Sequence, residues 1–158
     1  MLKSALQIII GGKTEINSAD LLMLQAKSYR LVKNEVSPLL YKHNISTLEW
    51  GFLGIVKTCA TGSRYIDLSN KMGVEPPFVT AIVTKLLREK LIKIVGDAQD
   101  RRAKMVILSS KGAALVEKLE PLIDERLQNV LDPISTSDFK GYIAAMTTIT
   151  DAPKRVKR

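Results

Sequence analysis

Between residues 64 and 108 the apolar positions change their period, and that change constrains the fold more than any other feature of the chain. Val79, Ile82, Val83, Leu86 and Leu87 recur at helical spacing, leaving Pro77, Thr80, Ala81, Thr84, Lys85 and Arg88 on the opposite side. After Lys90 the period falls to two, so Leu91–Val95 and Ala103–Leu108 read as paired strands around the polar loop Gly96–Arg102. A shorter helix over about Arg64–Met72 precedes them and ends at Gly73. Pro76 then takes a first-turn position, where a missing N–H has no cost. A helix-turn-helix followed by a β-hairpin is the economical reading.

Longer helical patterns flank this unit. Leu21, Leu24, Leu31, Val32, Val36, Leu39 and Leu40 mark a helix over about Ser18–His43, with Pro38 expected to bend or break it and Asn44 to end it. Ser46 and Glu49 form a capping box for the next helix, whose stripe is Leu48, Phe52, Ile55, Val56 and Cys59. Ala60–Ser63 reads as a turn. Ser109 caps a helix reaching Leu131 with a bend at Pro121, and Ser135 opens a last one carrying Phe139, Tyr142, Ile143, Met146 and Ile149. The outer stripes are too extensive for a small winged core to cover, which implies pairing of two chains. The fold class expected is mainly α with a small β-hairpin wing: a winged helix-turn-helix core at 46–109, dimerisation helices at 1–45 and 110–151, and a basic tail at 152–158.

At 158 residues and 46% apolar, one chain can bury a full core without disulfides or metals. One Cys and one His leave little for a metal site, no catalytic constellation can be assembled, and no cofactor is implied. No apolar run approaches a membrane span, and Met1–Ile10 lacks the small-residue cleavage site of a signal peptide. The net charge of +8 is concentrated: residues 64–104 hold nine basic against five acidic groups, and 152–158 add four more cations. Such a block is solvated surface unless the motif beneath it has a nucleic-acid geometry.

The motif here has one. Asp67-Leu68-Ser69-Asn70-Lys71-Met72-Gly73-Val74, then Thr80, Ile82-Val83 and Lys85-Leu86, resemble the helix-turn-helix of the MarR family of winged-helix regulators. Asp97-Ala98-Gln99-Asp100-Arg101-Arg102-Ala103 is similar to that family's wing signature, and Leu108-Ser109-Ser110-Lys111-Gly112 to its next helix start. Ile45-Ser46-Thr47-Leu48-Glu49-Trp50 resembles the family's entry to helix two. The likeness covers about 18–150; the first seventeen residues have no counterpart. Lys90 stands where the family usually has Gly, Ala81 where a basic residue is common, and Pro76-Pro77 where small polar residues are usual. These departures bear on the preferred DNA sequence, not on the fold.

The resemblance implies a cytoplasmic, nucleoid-associated homodimer that binds a pseudo-palindromic operator in double-stranded DNA, a repressor released by a small aromatic ligand. Thr80, Thr84, Lys85 and Arg88 would offer polar contacts in the major groove, and Pro77, Phe78 and Ala81 apolar ones for thymine methyls. Arg101 and Arg102 would bring cations to the minor groove, with Asp100 bracing Arg102. Tyr29, Tyr41, His43 and Trp50 are candidates for a ligand crevice. Cys59, on an apolar stripe with no His nearby in sequence, reads as a small buried hydrophobe and not a redox sensor. The rival reading is a winged-helix module that docks a protein or covers DNA without sequence preference and has no ligand response.

Overall fold

The computed structural model describes residues 9–10, 14–15, 17–59, 61–96 and 104–151. Its elements in chain order are β1 (Ile9–Ile10), β2 (Thr14–Glu15), α1 (Ser18–Tyr41), α2 (Thr47–Lys57), β3 (Ser63–Arg64), α3 (Tyr65–Met72), α4 (Pro76–Arg88), β4 (Ile92–Gly96), β5 (Lys104–Leu108), α5 (Ser110–Leu131) and α6 (Thr136–Asp151). The fold class is the one expected, mainly α with a small antiparallel sheet. That sheet has the order β3-β5-β4, with Ile92 opposite Leu108 and Gly96 opposite Lys104 in the hairpin. The two-residue β3 adds a third strand beside β5; a strand so short has no period to read. β1 and β2 pair antiparallel, Ile9 opposite Glu15.

Three helices end in the left-handed backbone region, at Asn44 (φ 57°), Gly73 (φ 65°) and Lys90 (φ 60°). Gly73 enters that region freely, and Asn44 is tolerated there. Lys90 carries a Cβ and has no such allowance. It is held by two bonds, its own N–H to the Leu87 carbonyl and the Leu91 N–H to the Leu86 carbonyl, both 2.9 Å. The chain thus makes the helix-to-strand turn at a local cost that the surrounding packing offsets.

Ser109 fastens the next helix onto that turn. Its N–H donates to the Leu91 carbonyl at 3.1 Å. Its hydroxyl donates to the Lys90 carbonyl at 2.7 Å and accepts the Gly112 N–H at 2.9 Å. The Lys111 ammonium reaches the Glu89 carbonyl at 2.8 Å. So close an approach leaves no room for a side chain at Gly112, where a Cβ would lie 1.9 Å from the Leu91 carbonyl oxygen.

The core lies where α1–α5 meet the sheet. Leu40, Phe52, Leu53, Leu68, Val79, Leu86, Val106, Val116 and Leu119 are fully enclosed, each contributing about 1.5–3 kcal/mol relative to exposure. Helix α4 buries the stripe its period predicts, with Leu87 half-buried at its edge. Two expectations are corrected. Pro38 does not break its helix, since α1 continues to Tyr41, and α5 likewise runs on past Pro121 to Leu131. Beside Pro38, the Ser37 hydroxyl donates to the Lys33 carbonyl at 2.7 Å, engaging an acceptor one turn back. Leu48, assigned to the inner stripe of α2, is exposed.

The outer helices are only half employed. Of α1, only Val36, Ser37 and Leu40 are buried, while Leu21, Leu22, Met23, Leu24 and Leu31 are exposed. Helix α6 buries none of its residues in the single chain.

Candidate nucleic-acid interface

Helix α4 is held at its C-terminal end by the Lys90 turn and is bare on one face. Glu75 is its N-cap but makes no side-chain cap bond, and Pro76 and Pro77 supply no N–H to its first turn. From Pro76 to Thr84 the helix carries no charge. Pro77, Phe78, Thr80, Ala81, Thr84 and Arg88 are exposed, as the sequence places them. The Thr80 hydroxyl donates to the Pro76 carbonyl at 3.2 Å and that of Thr84 to the Thr80 carbonyl at 2.8 Å. Both hydroxyl protons are engaged within the helix, so what these oxygens offer outward is lone pairs. Arg88, with a side chain 75% exposed, is the outward cation of this face among the described residues, in a long ion pair of 4.0 Å between its Nε and Glu89.

Lys85 does not stand outward as expected. Its ammonium turns back across the domain and bonds the Glu49 carboxylate at 2.8 Å, with side-chain exposures of 31% and 11%. The same Glu49 oxygen accepts the Ser46 N–H at 2.7 Å, closing the capping box at the start of α2. Burial alone would raise the Glu49 pKa, but the Lys85 ammonium and the Ser46 backbone N–H and hydroxyl outweigh it, holding the carboxyl below the usual range. Lys85 lies three residues after Ile82 and one before Leu86, on the border of the buried stripe. A long flexible side chain there can go either way, and a carboxylate decides it.

Asp100, Arg101 and Arg102, like the 152–158 tail, lie outside the described residues. The described part of the wing adds two cations that pattern reading passed over, Lys93 on β4 and Lys104 on β5, both exposed. Alternation along the strands is the signal that could have found them, since Lys93 follows the buried Ile92.

Of the four proposed ligand residues, two stand well apart within the chain. Tyr29 and Tyr41 are both exposed, twelve residues apart on α1 and so ~18 Å apart along its axis. His43 lies on the turn after α1, and Trp50 packs against the core from α2.

Cys59 is a correction. Helix α2 ends at Lys57, so the residue falls beyond the apolar stripe, and its side chain is half-buried. The buried Ser63 hydroxyl lies near the thiol. The Lys71 ammonium of α3 stands 3.4 Å from the sulfur. Ser63 first and Lys71 second hold the thiol below its usual pKa. Ser63 lies four residues on and Lys71 twelve, both beyond the end of α2, so the apolar stripe of that helix contains neither.

No protein-family model matches the chain. It is 26% identical over 133 residues to the HTH-type transcriptional regulator FarR of Neisseria gonorrhoeae, covering 82% of this chain and 89% of that protein. Among solved structures it is similar to CouR from Rhodococcus jostii RHA1 bound to p-coumaroyl-CoA, with a TM-score of 0.80 at 18% identity over 86% of this chain and 95% of that one. It also superimposes on a MarR-family transcriptional regulator from Rhodococcus sp. RHA1 (TM-score 0.76, 17% identity, 89% and 99% covered). The S. aureus MepR–DNA complex gives a TM-score of 0.71 at 24% identity over 88% and 100%.

Proposed function

We infer that this chain, which has the winged-helix fold of the MarR-family regulators, is a transcriptional regulator that binds double-stranded DNA as a homodimer. The observation that carries this reading is the face of α4. It is uncharged and exposed from Pro77 to Thr84, followed by an exposed Arg88, on a domain whose adjoining wing strands carry exposed Lys93 and Lys104. A helix that enters the major groove must keep acids off its outer side, because phosphates recur every ~1.7 Å along the duplex axis.

Pro77, Phe78, Thr80, Ala81, Thr84 and Arg88 are the major-groove residues of this reading, and Asp100, Arg101 and Arg102 its wing residues. Residues 46–109 are the DNA-binding part; 1–45 and 110–151 join the two copies. The exposed apolar residues of α1 and an α6 that buries nothing alone support that division. Two-fold pairing sets the recognition helices about one turn of duplex apart, or a multiple of it. The relatives are regulators and not enzymes, and we assign this chain no catalytic activity. We place it in the cytoplasm on the nucleoid; among the described residues no helix is long and apolar enough to cross a membrane. Repression relieved by a small aromatic molecule completes the reading, supported by the p-coumaroyl-CoA bound to CouR.

Selection of genomic fragments by the purified protein in excess competitor DNA tests it. Specific binding exceeds non-specific by ~10³–10⁷, so a pseudo-palindromic site should emerge. Uniform recovery of all fragments would instead identify a winged-helix module that coats DNA without reading it.

A further inference from the structure

On a face meant to meet phosphates, one of the two cations that α4 carries is withdrawn. Lys85 is held 2.8 Å from Glu49, and its partner is itself fixed by the Ser46 N–H at 2.7 Å and sits at the N-terminus of α2. Glu49 is nearly enclosed, with 11% of its side chain exposed. Removing Lys85 to DNA would leave that carboxylate buried without its counter-charge, a costly state. What remains exposed on the recognition face before Arg88 is uncharged: the rings of Pro77 and Phe78, the methyl of Ala81, and Thr80 and Thr84 with their hydroxyl protons turned inward. Such a surface has no bidentate donor for guanine N7 and O6 and no amide for adenine. It has methyl groups, which fit thymine C5-methyls, and oxygen lone pairs, which accept from the amino groups of adenine or cytosine.

We infer that Lys85 is a positioning residue, which fixes α4 against the start of α2 through Glu49, and that Pro77, Thr80, Ala81 and Thr84 read a thymine-containing half-site without it. This rests on the proposal that α4 enters the major groove. The ion pair links two helices 36 residues apart in sequence and bears on the angle at which α4 leaves the domain. It also keeps a promiscuous point charge out of the groove, where a lysine would favour guanine.

The test uses the full-length protein, the duplex enriched by genomic selection, and a random-sequence duplex of equal length. If no duplex is enriched, the functional reading itself fails, which separates that failure from this one. Lys85→Met keeps the aliphatic stem and removes the charge. It should weaken binding to the selected duplex, to each of its single-base variants and to the random duplex by the same factor, with an unchanged log–log salt slope. Glu49→Gln keeps the capping box, since Gln can serve at that position, but releases Lys85. Its salt slope should steepen by up to about 0.9 per protomer, and guanine should become tolerated at a base pair where the parent rejects it. A Lys85→Met variant whose slope falls by about 0.9 per protomer, or which loses discrimination at particular base pairs, would show that Lys85 contacts DNA and would overturn the inference. So would a Glu49→Gln variant with the parent slope. Should Lys85→Met not fold, Glu49→Gln, with its helix cap intact, decides alone.

Discussion

Substituting Ala for Gly112 pits two well-defined effects of opposite sign against each other. Gly112 lies in the first turn of α5, and intrinsic helix propensity favours Ala over Gly by about 0.8–1.0 kcal/mol. The added Cβ, however, would lie 1.9 Å from the Leu91 carbonyl oxygen and 2.9 Å from its carbon. Carbon and oxygen settle no closer than about 3.3 Å, so the start of α5 must retreat from the α4–β4 turn by more than 1 Å. The Ser109 N–H bond to Leu91, already 3.1 Å, does not survive such a shift. The Ser109 hydroxyl bond to Lys90 at 2.7 Å is strained by the same movement. An orphaned buried donor costs about 1–3 kcal/mol and a lost bond about 1 kcal/mol more. Against the propensity gain, the net is a destabilisation of about 1–3 kcal/mol, or a melting point lower by roughly 2–12 °C for a chain of this size. Thermal unfolding by circular dichroism measures it. Gly51→Ala is the control: that residue is on α2, exposed, with nothing within 4 Å of the added Cβ, so it should melt above the parent. If Gly112→Ala also melts at or above the parent temperature, propensity rules this site and the close-approach argument is wrong.

Lys90→Gly should raise stability, because relief of a left-handed Lys, about 1–2 kcal/mol, exceeds the entropic cost of Gly, about 0.4–1 kcal/mol; an unchanged or lower urea midpoint contradicts this. Alkylation of Cys59 by iodoacetamide should reach half its plateau rate at a pH below the usual thiol range, since a lowered pKa enlarges the thiolate fraction at neutral pH. Lys71→Met should move that midpoint upward, and a midpoint insensitive to Lys71 removes the ammonium from the explanation. Arg102→Ala should weaken binding across all sequences and lower the salt slope by about 0.9 per protomer, whereas Asp100→Ala should weaken binding although it deletes a negative charge; tighter binding by Asp100→Ala marks that acid as merely solvated. Light scattering at micromolar concentration should give the mass of two chains, and a stable folded monomer refutes the pairing of α1, α5 and α6.

What the sequence makes legible here is what is local. The change of period at Lys90, the Ser46–Glu49 capping box, the Asn44 and Gly73 terminators and the Ser109 cap of α5 are all set by near neighbours in the chain, and each stands where its chemistry requires. Pairings across the fold are what it hides. Glu49 reads completely as the partner of Ser46, yet a carboxylate has lone pairs to spare, and Lys85 uses them from another helix. Cys59 reads as part of an apolar stripe, but α2 stops two residues before it and Lys71 arrives from α3. The third strand is invisible because Ser63–Arg64 is too short to alternate and is defined only by its ladder to Met105 and Val106.

Helix α6 has sixteen residues and no interior of its own to rest on. Isolated helices shorter than about 12–15 residues are marginal in water, and one only slightly longer gains little from its backbone alone. In the proposed dimer its secondary structure is therefore subject to mass action. If a second chain covers α6, as proposed, dilution that separates the chains would remove the surface on which α6 winds, and ellipticity per residue would become a function of protein concentration. The amount of protein in the cell would then set how much of each chain is folded as well as how many operators are filled, and an unpaired chain would present a frayed C-terminal segment to proteases.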